Sequence, residues 1–194
     1  MNQLLRPLII SGPSGAGKTT LIQPLLKKFP ATFTFTISHT TRKPRPQENH
    51  GVDYYFTNHV EMRKEIDQGK FIEHVEFAGN LYGTSHRAIF EVLDNNRIPI
   101  LDFDEQGVKK IKRLKRFSPV FVFIEPPSMD VLEKRLIGRG TEDEESLGRR
   151  MESAESSLFY ARGVEEPFDV RIVNDELSVA CVEFEQFLMK NFDL

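Results

Sequence analysis

The apolar positions at 8–10 form a short run, a glycine-rich stretch follows, and Leu21, Leu25, Leu26 and Phe29 then recur at helical spacing. The chain therefore opens as strand, loop, helix. Residues 32–37 change period: polar and apolar alternate, with Phe33, Phe35 and Ile37 on one side, which predicts a half-buried strand. Apolar runs at 98–103, 120–124 and 168–173 predict buried strands. Helical patterns lie between and after them, at about 104–116, 128–138, 142–162 and 177–190. Strands alternating with helices predict an α/β fold with a mostly parallel central sheet covered on both faces.

Between 39 and 88 the rhythm differs. Thr41-Arg42-Lys43-Pro44-Arg45-Pro46 is a stiffened basic turn, and Asp53-Tyr54-Tyr55-Phe56 is an aromatic cluster. Asn58 with Glu61 three residues on has the spacing of a capping box and predicts a helix that Gly69 stops. A strand is expected from Phe71 to Phe77. This block reads as a small insertion within the α/β core, and no internal repeat or low-complexity linker divides the chain.

Composition narrows the classes of function. The 194 residues fit one compact domain with a sizeable core, at 39% hydrophobic and 28% charged residues. Against 29 Asp and Glu stand 26 Lys and Arg, for a formal charge of −3, which argues against a nucleic-acid or membrane-surface binder. Cys181 is the single cysteine, so no internal disulfide can form and a reducing compartment is expected. Its simplest role is a small buried apolar residue of the C-terminal helix. Neither a signal-type N-terminus nor an apolar stretch of membrane-spanning length occurs, and a soluble, cytoplasmic protein is the expectation.

Candidate chemistry begins at Gly12-Pro13-Ser14-Gly15-Ala16-Gly17-Lys18-Thr19-Thr20. Gly12, Gly17, Lys18 and Thr19 satisfy the Walker A spacing, between a predicted strand and a predicted helix as the mechanism requires. Backbone N–H groups of Ser14 to Thr20 would cradle phosphates at the positive end of the helix dipole, Lys18 would reach the β- and γ-phosphates, and the Thr19 hydroxyl could ligate Mg2+. The motif points to ATP or another nucleoside triphosphate and is silent on the acceptor. Arg42 and Arg45, three apart and held by prolines, could grip one phosphate with two planar forks, although taken alone a basic turn facing water is the better explanation.

With further motifs the chain resembles the guanylate kinases, of the nucleoside monophosphate kinase group, from Leu8 to about Phe187. The carrying stretches are Ile10 to Lys18, Ser38-His39-Thr40-Thr41-Arg42-Lys43-Pro44-Arg45, Gly51 to Phe56, Phe71-Ile72-Glu73, Gly79 to Ser85, Leu101-Asp102-Phe103-Asp104, Gly138-Arg139-Gly140-Thr141-Glu142 and Val173-Asn174-Asp175. The resemblance implies a three-layer P-loop fold in one domain, 1–194. Its core would be 1–37, 89–125 and 163–194, a small GMP-binding α+β insertion would occupy 38–88, and a helical lid 126–162.

The same resemblance implies ATP and GMP as substrates, with dGMP a further acceptor, and Mg2+ with ATP. Arg42, Arg45, Tyr54 and Tyr82 would hold the GMP phosphate, while Ser38, Glu73, Thr84 and Asp102 would read guanine. Guanine presents N1–H and N2–H₂ as adjacent donors that one carboxylate can accept, whereas adenine has an acceptor at N1. Thr84 stands where the family often has Ser, which keeps the hydroxyl and adds a methyl. Asp102 could instead meet a water on Mg2+. Asn174 and Asp175 would lie near adenine, though a strand-end turn explains them almost as well, and Arg135 could flank that base.

Gly138, Arg139 and Gly140, followed by Thr141 and Glu144 at capping-box spacing, suit a hinged lid. Arg139 and Arg150 match the family's lid arginines, while Arg149, about 100° away around a helix, is expected to face water. No catalytic His is expected, because a phosphate nucleophile is already ionised near neutral pH; His39, beside Ser38, alone would border the site. The rival from another class is a guanylate-kinase-like protein-binding module of weak activity, and the Lys18, Thr19 and lid-arginine set argues against it. A monomer without nucleic-acid or membrane partners is expected.

Overall fold

The computed structural model describes residues 6–77, 79–114, 117–138, 144–163, 167–192 and 194. The elements begin β1 (Leu8–Ser11), α1 (Lys18–Lys28), β2 (Phe33–Phe35), β3 (His39–Thr40), β4 (Tyr55–Phe56), α2 (His59–Asp67), β5 (Phe71–Phe77) and β6 (Asn80–Ser85). They continue α3 (His86–Asp94), β7 (Ile98–Asp102), α4 (Glu105–Lys112), β8 (Val120–Glu125), α5 (Met129–Ile137), α6 (Glu144–Ala161), β9 (Val170–Val173) and α7 (Leu177–Phe192). The architecture is mixed α/β with a mostly parallel central sheet.

Two compact units emerge, and the first comprises mainly Ala31–Leu101 and Gln106–Ser118. In it β2 runs parallel to β7, and a second sheet has the order β4-β3-β6-β5, with β5 and β6 antiparallel. Met62, Phe71 and Leu81 form its small core under α2. Caps set its helices: the Asn58 side chain accepts from Glu61 N–H, and the Ser85 hydroxyl accepts from Ala88 N–H. Each cap contributes about 1 kcal/mol. Gly69 follows α2 at φ +67°, a left-handed position that ends the helix.

The second unit comprises Leu8–Pro30, Asp102–Glu105 and Pro119–Leu194. Here β1 pairs in parallel with β8, and β8 with β9. Every residue of β1 and β8 is buried, as the near-continuous apolar runs require of parallel strands covered on both faces. Leu21, Ile22 and Leu25 of α1, and Ala180, Phe184 and Leu188 of α7, are buried here. Burying each of the larger side chains stabilises the fold by about 1.5–3 kcal/mol.

Several expectations shift by a few residues. The 32–37 strand is shorter, with pairing carried one residue beyond Phe35 by Thr36 N–H to the Ile100 carbonyl. Helix α4 stops at Lys112, well before residue 116. Cys181 lies on α7 but is only part-buried, because α7 turns Ala180 and Phe184 inward instead. Burial and Glu185 push its thiol pKa up, so it is a poor nucleophile. The expected Thr141 cap lies outside the described residues.

Candidate active site

In the second unit the chain leaves β1 and turns back on itself to start α1. Gly12, at φ +137°, has no room for a side chain: a Cβ there would come 2.1 Å from the Ile124 carbonyl oxygen. Gly17 caps α1 at φ +92°, and a Cβ on it would meet Asn174 Nδ2 at 2.1 Å. Only glycine lets this loop pass so close to its supports.

Within the loop, Lys18 Nζ donates to the carbonyls of Gly12 (2.6 Å) and Pro13 (3.3 Å) and lies 3.6 Å from the Asp102 carboxylate. Pro13, Ser14, Gly15, Gly17, Lys18, Thr19, Thr20 and Asp102 line a cavity of about 200 Å3. Asp102 is 48% exposed, yet its carboxyl is held above the usual range because burial outweighs the pull of Lys18. Thr19, Thr20 and Asp102 supply side-chain oxygens to this lining, donor types suited to a hard cation that keeps several waters.

Two side chains brace the loop, and a third holds one of them. Asn174, 5% exposed, donates from Nδ2 to the Ala16 carbonyl at 2.8 Å, and its own carbonyl accepts from Arg135 Nη2 at 2.9 Å. Its amide is thus committed to the loop, while Asp175 faces solvent. From α6, Arg150 Nη1 donates to the Ser14 hydroxyl at 2.8 Å. Its neighbour Arg149 projects to solvent and pairs with Glu145. Arg139 lies outside the described residues.

The first unit gathers the remaining candidates into two groups. Thr84 Oγ1 on β6 donates to Glu73 Oε1 on β5 at 3.1 Å, and Ser38 Oγ lies 3.3 Å from Thr84 Oγ1. Since the Thr84 proton is committed to Glu73, Ser38 is the donor in the second bond. The result is a contiguous row of two hydroxyls and a carboxylate. Thr84 is buried and Glu73 half-buried, so the carboxylate belongs to a partly shielded edge.

The second group surrounds Arg42. Its guanidinium lies over the rings of Tyr54 (5.5 Å) and Phe56 (6.0 Å), and the Tyr54 and Tyr82 rings stand edge to face at 6.2 Å. Nη2 makes a bidentate contact with Glu48, at 2.9 and 3.0 Å, and Glu48 also accepts from Arg45 N–H at 2.8 Å. The pair lifts the Arg42 pKa and lowers that of Glu48, chiefly through the shared hydrogen bonds. Arg45 extends its side chain into solvent. The sequence reading missed Glu48; a carboxylate three residues beyond Arg45, after two prolines, was the available signal.

Beside Ser38, His39 packs between the rings of Tyr55 (4.8 Å) and Phe71 (5.1 Å), with Nδ1 buried and unpartnered. Burial lowers its pKa below 6.5, the carboxylates Glu65 and Glu91 opposing and Arg87 and His50 assisting. A depressed folded pKa means the unfolded chain binds the proton more readily, so the stability tied to neutral His39 is complete above pH 6.5 and is lost as pH falls through and below that value. Thermal unfolding between about pH 7.5 and pH 5 should show a steeper acid loss in the wild type than in His39→Gln. Parallel curves would remove His39 from the acid response.

The family model and the curated relatives agree. A family model described as guanylate kinase matches residues 4–191. The guanylate kinase of Sus scrofa is 50% identical over 177 residues, covering 90% of this chain and 87% of that protein, and that of Homo sapiens is 48% identical over 185 residues, covering 94% and 92%. The crystal structure of guanylate kinase from Anaplasma phagocytophilum superposes with a TM-score of 0.70 at 27% identity, covering 98% of this chain and 88% of that one. With a complete phosphate loop in one unit, an arginine–tyrosine cluster and a hydroxyl–carboxylate row in the other, and these matches along nearly its whole length, the chain belongs to the guanylate kinase family.

Proposed function

We propose that this chain transfers the γ-phosphoryl group of ATP to GMP, and to dGMP, yielding ADP and GDP or dGDP. The observation that carries the reading is the Ser38–Thr84–Glu73 row, a guanine-complementary edge in the same unit as the Arg42, Tyr54 and Tyr82 cluster. The complete Lys18 and Thr19 cradle favours catalysis over a role as a protein-binding module.

The ATP phosphates are assigned to the backbone of Ser14, Gly15, Ala16, Gly17, Lys18, Thr19 and Thr20. Thr19 would hold Mg2+, with Asp102 meeting a water on the ion, and the ion would supply charge neutralisation between the β- and γ-phosphates. Arg42 and Arg45, with Tyr54 and Tyr82, are assigned to the GMP phosphate. Glu73 takes guanine N1–H and N2–H₂, and Ser38 and Thr84 the neighbouring edge; Asp102 is assigned to the Mg2+ water in preference to guanine. Adenine is assigned to the planar face of Arg135, near Asn174 and Asp175.

Two anionic nucleotides repel, so the transfer is chiefly a matter of positioning and electrostatics. Lys18, Arg45, Arg139 and Arg150 supply the opposing charge, and none of them has to take a proton because the acceptor phosphate is ionised near neutral pH. The assignment divides the chain into core (1–37, 89–125, 163–194), GMP-binding insertion (38–88) and lid (126–162). A cytoplasmic monomer acting in purine nucleotide metabolism fits the reducing-compartment composition and the net charge of −3; among the described residues no helix is long and apolar enough to cross a membrane.

A coupled assay with Mg-ATP and GMP, dGMP, AMP, CMP or UMP tests the reading. GMP is expected to have the highest kcat/KM. Faster turnover of AMP than of GMP would overturn the base assignment.

A further inference from the structure

A buried carboxylate outside the substrate-binding groups links the two braces of the phosphate loop. Glu125, the last residue of β8, is 5% exposed. Its Oε2 accepts from Arg162 Nε (3.2 Å) and Nη2 (2.9 Å), and Arg171 Nη1 on β9 lies 4.0 Å from Oε1. Its own carbonyl accepts from Asn174 N–H at 2.9 Å. One residue therefore ties together the end of β8, the exit of α6 and the turn that carries Asn174.

We propose that Glu125 is a positioning residue for phosphoryl transfer: clasped by Arg162 immediately beyond α6, its buried carboxylate fixes the axial and rotational setting of that helix, and thereby the reach of Arg150 to the phosphate loop. This rests on the role given above to Arg150. Arg162 follows Arg150 by twelve residues, or about 18 Å along the helix axis. Between them the helix buries Ala154, Leu158 and Ala161, Met151 packs against the Leu132–Leu136 cluster, and the Tyr160 ring stands edge-on to Phe168 at 6.0 Å. Such apolar contacts are non-directional and tolerate small slides and rotations. A forked, charge-assisted pair is directional, and it adds a constraint of a kind they lack.

Stability is a weak reason for this arrangement, since the cost of desolvating a buried carboxylate offsets much of its attraction to a partner. Orientation is the stronger reason. Both routes from Glu125 end on the same loop, through Arg150 at the Ser14 hydroxyl and through Asn174 at the Ala16 carbonyl.

The test uses the full chain and measures kcat, KM for GMP and for Mg-ATP, and unfolding temperature. In Glu125→Gln, kcat should fall about tenfold through misplacement of the arginine, with KM for GMP within about twofold of the wild type. Arg162→Lys, which keeps the charge and loses the fork, should lower kcat as well, by less than Glu125→Gln does. In an Arg150→Ala background Glu125→Gln should cost less than about twofold, because the two act through one interaction. If Glu125→Gln does not fold, the paired Glu125→Leu/Arg162→Leu variant, which removes both charges together, takes its place and should show the same fall in kcat. A folded variant with wild-type kcat, or an equal loss with and without Arg150, overturns the inference. Wild-type kcat in Arg150→Ala alone overturns the role of Arg150 itself, and is a separable result.

Discussion

Lys18→Ala is expected to lower kcat by about 10²–10³-fold, the scale for removing one preorganised charged donor from a transition state, while the unfolding temperature barely moves. The ammonium is 15% exposed and held by two loop carbonyls, so its position is set before any phosphate arrives. Binding to a placed charge requires little reorganisation, and the benefit grows as charge develops on the bridging oxygen. The fold should survive because Asp102, the carboxylate that pairs with Lys18 among the described residues, has a side chain 48% exposed and can be solvated. Arg45→Ala should have an effect of similar size with the fold kept: its side chain is exposed, and Glu48 fastens the turn through the Arg45 backbone N–H, which the substitution leaves in place. Steady-state rates with circular dichroism check both. Rates near those of the wild type in either variant would count against its role.

Glu73→Gln should lower the ratio of kcat/KM for GMP over AMP by about 10²-fold or more, because a site built to accept two base donors discriminates strongly and loses that power once one acceptor becomes a donor. The amide oxygen of Gln can still accept the Thr84 hydroxyl, which turns the amide nitrogen toward the base. Guanine then meets N–H against N–H, while adenine N1 gains a donor. Since Glu73 is half-buried on a strand edge and Gln matches its shape, the fold should be retained. An unchanged GMP/AMP ratio in a folded variant would remove Glu73 from base reading.

The phosphate loop was legible because its demands are local. Glycines at 12 and 17, a lysine at 18 and a strand–loop–helix order follow from contiguous residues, and the close approaches of Ile124 and Asn174 account for both glycines. The Asn58 cap and the Gly69 stop were legible for the same reason. Helix α3 is the element absent from the sequence expectations, although Ser85 with Ala88 and Ile89 carried a capping and burial signal. Glu48 carries only its spacing from Arg45, and Glu125 carries no signal in short-range spacing that sets it apart from other charged residues.

By itself the sequence determined the kind of chemistry: short-range spacing decides whether backbone amides can converge on a phosphate, and residue type decides which base edge can be matched. Tertiary structure alone decided how the charged groups are held. Arg42 with Glu48 is six residues apart, Arg162 with Glu125 thirty-seven, Asn174 with Ala16 158, and Arg150 with Ser14 136. Hydrophobic periodicity specifies which face of an element turns inward, but it does not say which charge on one element meets which on another. That pairing is settled only when strands take their register and desolvation makes an unpaired charge too costly to keep.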